Sequence, residues 1–237
     1  MNIIRAIREE VFVPIHPAGW PFIAAFAAVT ALVGYYLPLF FVIGVPLTLW
    51  CIYFFRNPLR TIPQKEGWLV APADGRVISI GEAEPEVEMN LPSGKYRRVA
   101  IFMNVFDVHV NRAPIAGTVT DILYRKGKFV NASLDKASTD NERLAMTMTV
   151  DNKAKTKIAV VQIAGLVARR ILCDAKVSDV LSVGQIFGLL RFGSRVDIWM
   201  PVETNVMVLV GQRTIAGETV IADLTNTQQE PDGHIAR

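Results

Sequence analysis

Ala71-Pro72-Ala73-Asp74-Gly75-Arg76-Val77 is echoed by Ala113-Pro114-Ile115-Ala116-Gly117-Thr118-Val119, and this doubled phrase decides how the chain reads. In each copy proline fixes φ and glycine permits a positive φ, so the segment predicts a tight turn that launches a strand. A third two-glycine turn, Gly211-Gln212-Arg213-Thr214-Ile215-Ala216-Gly217-Glu218, has the same character. Around these turns, from about residue 67 onward, short β-branched runs alternate with Gly, Pro, Asn and Asp. They predict strands at Arg76–Ile80, Arg97–Asn104, Gly117–Leu123, Ala145–Val150, Lys157–Ile163, Arg195–Met200 and Asn205–Leu209. Helix is scarce there. The expected fold class is mainly β: a compact, barrel-sandwich-like domain with few helices.

The chain ahead of this domain is different. Residues 18–55 carry no charged side chain. Tyr35-Tyr36 and Pro38 divide the run into 18–36 and 39–55, each near the lower end of the about 17–25 residues that span a bilayer. A hydrophobic helical hairpin is expected, with Trp20, Trp50 and Tyr53 as interfacial anchors at one end and Tyr35 and Tyr36 at the other. Arg5 and Arg8 before the run and Arg56 and Arg60 after it place both ends on the cytoplasmic side. Residues 2–11 space apolar side chains at helical intervals and read as a surface helix. The expected division is therefore 1–60, amphipathic segment and membrane hairpin, followed by 61–237, a domain on the cytoplasmic face of the cell membrane. A signal peptide, with one apolar region of about 7–15 residues, does not describe a doubled segment. A buried core hairpin and a re-entrant loop remain alternatives.

Composition narrows the function classes. In 237 residues, 51% hydrophobic content excludes a disordered chain. Twenty-five basic against 22 acidic residues is too even a balance to indicate nucleic acid. Cys51 and Cys173 support no disulfide framework, and three scattered histidines give no metal-ligand spacing. No phosphate-binding glycine loop is present.

Three turn-associated residues carry potential chemistry: Asp74 in the first Pro-Ala-Asp-Gly, His109 in Val108-His109-Val110, and Ser194 after Gly193. Singly, each has an ordinary structural reading as an Asx-turn aspartate, a satisfied histidine or a turn serine. Their flanks change that reading. Pro72-Ala73-Asp74-Gly75, then Val108-His109-Val110-Asn111-Arg112-Ala113-Pro114 followed by Gly117, then Asn141-Glu142-Arg143, then Phe187-Gly188 leading to Phe192-Gly193-Ser194, resemble in order and spacing the phosphatidylserine decarboxylase family. The resemblance spans nearly the whole chain, and the hydrophobic N-terminal hairpin looks like the shorter subgroup. One departure is plain: the commonest family signature is Leu-Gly-Ser-Thr, whereas Phe192 and Arg195 flank the pair here.

The resemblance implies a zymogen that cleaves itself at Gly193–Ser194 into chains 1–193 and 194–237, turning Ser194 into a covalent pyruvoyl cofactor. It implies decarboxylation of phosphatidylserine to phosphatidylethanolamine through a Schiff base with that group, with Ser194, His109 and Asp74 as catalytic residues and no metal. The implied partners are the lipid substrate, membrane lipid and the two chains of one proenzyme; a homo-oligomer is left open, and nucleic acid is not expected. Glycine at 193 has no Cβ to block attack by the next hydroxyl. His109 oriented by Asp74 would supply the base that a serine hydroxyl needs. Arg56, Arg60, Arg169 and Arg170 could attract anionic lipid, although such residues are more often simply solvated. Two other classes stay open on the residues alone: a membrane-tethered barrel-sandwich adaptor in which these residues do nothing, and a membrane-bound serine hydrolase.

Overall fold

A computed structural model describes residues 13–127, 141–165, 171–191 and 193–227. The helix expected over 2–11 lies outside them, as do Phe192, Arg169 and Arg170. The chain forms two units, one of residues up to Leu59 together with Phe106–Val108, the other from Arg60 onward.

In the first unit, a 3-10 turn at Pro17–Gly19 leads into α1 (Trp20–Tyr36), and Pro38 begins a second 3-10 turn before α2 (Phe41–Phe54). The proline supplies the break because its ring cannot continue a helix and fixes φ for a first turn. The helices approach closely where side chains are small. A Cβ on Gly44 would meet Thr30 Oγ1 at 2.6 Å, and one on Gly34 would meet the Phe41 ring at 2.6 Å. Thr30 and Thr48 place their hydroxyls 3.3 Å apart across the pair. Small residues and hydroxyl pairs are how helices associate in lipid, where apolar contact alone gives no preference. Leu32, Leu39, Val42 and Ile43 are outward and exposed. The helix from Pro17 to Tyr36 is long and apolar enough to cross a membrane, and Pro38–Phe54 is a shorter apolar helix. Arg56 at the end of the hairpin donates to the Tyr53 and Phe106 carbonyls at 2.7 and 2.8 Å and lies over the Tyr53 ring.

The second unit is mainly β, as expected. Its fourteen described strands are β1 (Trp68–Val70), β2 (Gly75–Ala83), β3 (Tyr96–Met103), β4 (Val110–Arg112), β5 (Gly117–Arg125), β6 (Arg143–Val150), β7 (Lys157–Ile163), β8 (Ile171–Cys173), β9 (Val180–Leu181), β10 (Ile186–Leu190), β11 (Ser194–Pro201), β12 (Thr204–Val206), β13 (Arg213–Thr214) and β14 (Val220–Thr227). An antiparallel sheet runs β13-β2-β3-β11-β7-β6-β5-β9, and two three-stranded sheets, β4-β10-β8 and β1-β14-β12, complete the unit. Leu69, Ile101, Met103, Met146, Val160, Phe187, Val196 and Ile221, drawn from all three sheets, meet in the main core. The other face of the large sheet carries a smaller cluster around Met89, Val161, Ile163 and Trp199.

The doubled phrase of the sequence is a doubled structure. Arg112 N–H donates to the Pro72 carbonyl, and Val70 N–H donates to the Pro114 carbonyl, so the two turns bind each other reciprocally. Each launches a long strand that bulges at the same place, between Val77 and Ser79 in β2 and between Val119 and Asp121 in β5. Gly75 has the expected positive φ, +155°, but both positions need glycine for a second reason, want of space. A Cβ at Gly75 would lie 2.2 Å from the Phe102 carbonyl oxygen, and one at Gly117 would lie 2.5 Å from that of Thr149. Gly117 has no positive φ at all. Close approach of neighbouring backbone excludes a side chain at both points.

The strand expected over Asn205–Leu209 ends at Val206, because Gln212 N–H and side chain bond Leu209 and turn the chain. β1, β4, β8, β9, β10, β13 and β14 were not foreseen; most are too short to show a period, and β14 mixes Asp, Thr and Asn into its run.

Candidate active site

Three of the distant sequence segments converge at one end of the large sheet. Arg76 lies opposite Phe102 and Ser194 opposite Met103, so β2 begins, β3 ends and β11 begins at a common edge. Arg195 and Arg143 both lie opposite Ile163 on β7. Beyond that pair, Ala164 N–H donates to the Glu142 carbonyl and Asn141 Nδ2 donates to the Ala164 carbonyl at 2.7 Å. The Asn141-Glu142-Arg143 segment is thereby two strands from Ser194.

His109 reaches the same region from the small sheet. Leu190 N–H donates to its carbonyl at 3.1 Å, which sets it beside the last residue of β10. From Leu190 the chain leaves β10 and four residues later enters the large sheet at Ser194. The Gly193–Ser194 bond therefore lies where the backbone crosses between sheets. His109 is fully buried, and its Nε2 is shielded from solvent.

Gly193 has φ +67°, in the left-handed region that costs a side-chain-bearing residue energy, and apart from its own residue and chain neighbours no described atom stands within 4 Å of where its Cβ would be. Ser194 has no exposure, and its hydroxyl has no hydrogen-bond partner among the described residues. Alternation along β11 puts Ser194, Val196, Ile198 and Met200 on the main-core face and Arg195, Asp197 and Trp199 on the other.

That alternation answers the question raised by Arg195. Its guanidinium is fully buried and grips Asp197 with two bonds, Nε to Oδ1 at 2.6 Å and Nη2 to Oδ2 at 2.7 Å, on the face turned away from the Ser194 hydroxyl. A buried arginine needs such a bidentate carboxylate, because an unpaired buried charge is strongly destabilising. Nearby on that face, the Arg143 guanidinium bonds Glu86 through both of its carboxylate oxygens.

Asp74 is held more elaborately than an isolated turn aspartate. Arg60 Nη2 donates to both carboxylate oxygens, at 2.9 and 2.7 Å, and Ala216 N–H donates to Oδ1 at 2.8 Å. Arg60, read from sequence as a candidate lipid contact, is thus nearly buried and paired. Arg112 belongs to the same cluster: burial and then the neighbouring Arg60 charge lower its pKa, against the opposing pull of Asp74 and Glu218. Asp74 ties the first turn to the Ala216 turn while sitting between two arginines.

Sequence reasoning missed two residues on the Ser194 face. Gln162 Nε2 donates to Asn111 Oδ1 at 2.8 Å, and Asn111 Nδ2 approaches Met103 Sδ at 3.8 Å. Both amides are fully buried. The signal was present in Lys157–Ile163, where a glutamine interrupts an apolar run. Gly188, noted in the sequence, makes room for this pair: a Cβ there would stand 2.2 Å from the Leu172 carbonyl and 3.2 Å from Gln162 Nε2. Among the described residues no group of three or more His, Cys, Asp or Glu is arranged to hold a metal ion.

Comparison with known proteins identifies relatives of this chain. A family profile described as phosphatidylserine decarboxylase matches residues 47–222. The phosphatidylserine decarboxylase proenzyme of Cereibacter sphaeroides is 52% identical over 220 residues, covering 93% of this chain and 94% of the relative. That of Ruegeria pomeroyi is 50% identical over 218 residues, covering 92% and 99%. Fold and likeness together define an enzyme of the decarboxylase class, with relatives named as proenzymes. The chain belongs to the phosphatidylserine decarboxylase family.

Proposed function

We propose that this chain is a proenzyme that cuts itself between Gly193 and Ser194 and, once cut, converts phosphatidylserine to phosphatidylethanolamine at the cytoplasmic face of the cell membrane. The observation that carries the reading is the left-handed, sterically open Gly193 followed by a buried serine hydroxyl with no partner among the described residues. Buried hydroxyls ordinarily find a partner, so an exception beside an unusual backbone marks a candidate for chemistry.

In the proposed route His109 takes the Ser194 hydroxyl proton, and Oγ attacks the Gly193 carbonyl carbon. The Gly193–Ser194 C–N bond breaks as the ester bond forms, and the proton passes to the freed nitrogen. β-Elimination then releases the Gly193 carboxylate, leaving a dehydroalanine at 194. Tautomerisation and hydrolysis consume one water, release ammonia and leave a pyruvoyl group at the head of chain 194–237. Asp74, fixed by Arg60 and Ala216, acts by holding the turn at the start of β2 in place and by setting the local charge.

The residues fit the group, because position 194 is buried, lies next to a glycine without steric cover, and shares its face with neutral amides. When formed, the ketone conjugated to an amide carbonyl supplies an electron sink for a substrate joined through its amine. In this reading His109 returns a proton to the carbon from which CO2 departs, a task suited to imidazole near neutrality. Burial excludes bulk water from that carbon. The apolar helices of residues 17–54 hold the protein at the surface where a diacyl lipid presents its headgroup.

The test is direct. Mature protein in detergent micelles containing phosphatidylserine, with no added pyridoxal phosphate or metal, is expected to release CO2 and leave phosphatidylethanolamine, and hydroxylamine, which captures ketones, is expected to abolish the release. Full activity after complete capture of the ketone would overturn the proposal.

A further inference from the structure

Gln162 is a buried polar group that the proposed route leaves unused. Its Nε2 points at two acceptors, Asn111 Oδ1 at 2.8 Å and the Leu172 carbonyl at 3.4 Å, and this fixes which end of the amide is nitrogen. The other end, Oε1, is buried and has no hydrogen-bond partner among the described residues. Gln162 lies opposite Val196 on the β7–β11 ladder, so it is the diagonal neighbour of residue 194 on the same face. Diagonal neighbours stand about 7–8 Å apart, within reach of a small group held between them.

The position is built. Asn111 anchors the amide from the small sheet and itself leans on Met103, the residue opposite Ser194. Gly188 gives up a side chain so that the amide can enter. The unpartnered end of this construction, on the sheet face that residue 194 shares, is an acceptor. An acceptor recognises N–H or O–H groups and repels carboxylate and phosphate oxygens, so it suits one part of an amino-acid headgroup, the amine. Its neutrality matters too. A carboxylate here would favour the ammonium form, whereas an amide orients the nitrogen without holding its proton.

We propose that Gln162 Oε1 accepts a hydrogen bond from the substrate's amino group, with Asn111 holding the amide in position, and that this contact selects headgroups carrying an amine. The inference rests on the reading of residue 194 as the reactive position.

Its test compares wild type with Gln162→Leu and Gln162→Glu, using phosphatidylserine and a desamino analogue whose headgroup ends in 3-hydroxypropionate. Gln162→Leu is expected to be cut normally, to show a KM for phosphatidylserine raised about 10- to 100-fold with a smaller change in kcat, and to be inhibited by the desamino lipid as wild type is. In Gln162→Glu the pH optimum is expected to move upward, because the new carboxylate holds the amine protonated. An unchanged KM in Gln162→Leu overturns the proposal. So does a parallel loss of desamino-lipid inhibition, which would mean general damage to the pocket, or failure of the variant to be cut, which would assign Gln162 to maturation. Wild-type protein that is neither cut nor active would instead bring down the reading of residue 194 itself, and no variant is needed to see that result.

Discussion

Ser194 and Met103 are directly opposed across the β3–β11 ladder, at the point where β11 begins and β3 ends. The serine hydroxyl therefore faces the core beside a thioether, a poor acceptor, and not water. A hydroxyl in that setting is available for attack on the preceding carbonyl. Ser194→Ala is expected to remain a single chain of 237 residues, whereas wild type yields chains ending at Gly193 and beginning at residue 194. Intact-mass spectrometry reads the difference, and an uncut wild type under conditions supporting activity would exclude self-cleavage.

Asp74 and His109 should both slow that cut when changed, for different reasons. Asp74→Asn leaves Arg60 and Arg112 facing each other without the carboxylate between them, and is expected to lower stability by about 3 kcal/mol as well as slow scission. His109→Gln removes the base and should slow scission about 100-fold or more. Timed gels after denaturing purification measure the rate, and normal processing in both variants would remove them from the mechanism.

The glycines at 188 and 193 separate packing from chemistry. Alanine at 188 would press on the Leu172 backbone, a cost of about 3 kcal/mol that detergent-solubilised protein should show as an earlier denaturation midpoint. Alanine at 193 meets open space and bears only the left-handed φ, about 1 kcal/mol, yet should be cut slowly because its methyl group flanks the carbonyl under attack. Equal destabilisation by the two substitutions would contradict this account.

Asp223 gives the fold an acid-sensitive fastening. Burial alone would raise its pKa, but hydrogen bonds from the Thr225 hydroxyl and N–H, with Lys65 nearby, more than offset this and hold it below the ordinary aspartate value. A folded-state pKa below the unfolded one contributes stability above the unfolded value, lost as pH falls toward the folded one. Asp223→Asn should therefore reduce stability at neutrality and flatten its decline below about pH 4. Denaturant titrations at pH 7 and pH 3.5 test it; equal losses at both would refute the linkage.

Attachment to lipid has its own measurement. Full-length protein is expected to stay in membranes through an alkaline carbonate wash, and protein lacking residues 18–55 to come free. Complete extraction of the full-length chain would point to a peripheral association.

The sequence by itself settled the class of the fold and named candidates for its chemistry. Apolar length without charge over residues 18–55 required helices, and β-branched runs cut by Pro and Gly required strands, because both readings depend on local periodicity. The long strands β2, β3, β5, β6, β7 and β11 were legible for that reason. Short strands such as β4 and β9 were not, since a strand of two or three residues has no period and exists only through its partner. Gly75 and Gly117 were marked as turns, but the reason for them, carbonyl oxygens of neighbouring strands where a Cβ would stand, appeared only once those strands were in place. The same holds at the candidate site. Ser194, His109 and Asp74 could be picked out along the chain, whereas the Arg60 grip on Asp74, the turning of Arg195 to the opposite face, and the amide pair of Asn111 and Gln162 could not. Register decides which side chains share a face, and register is set by the pairing of distant strands, a property that no stretch of sequence carries alone.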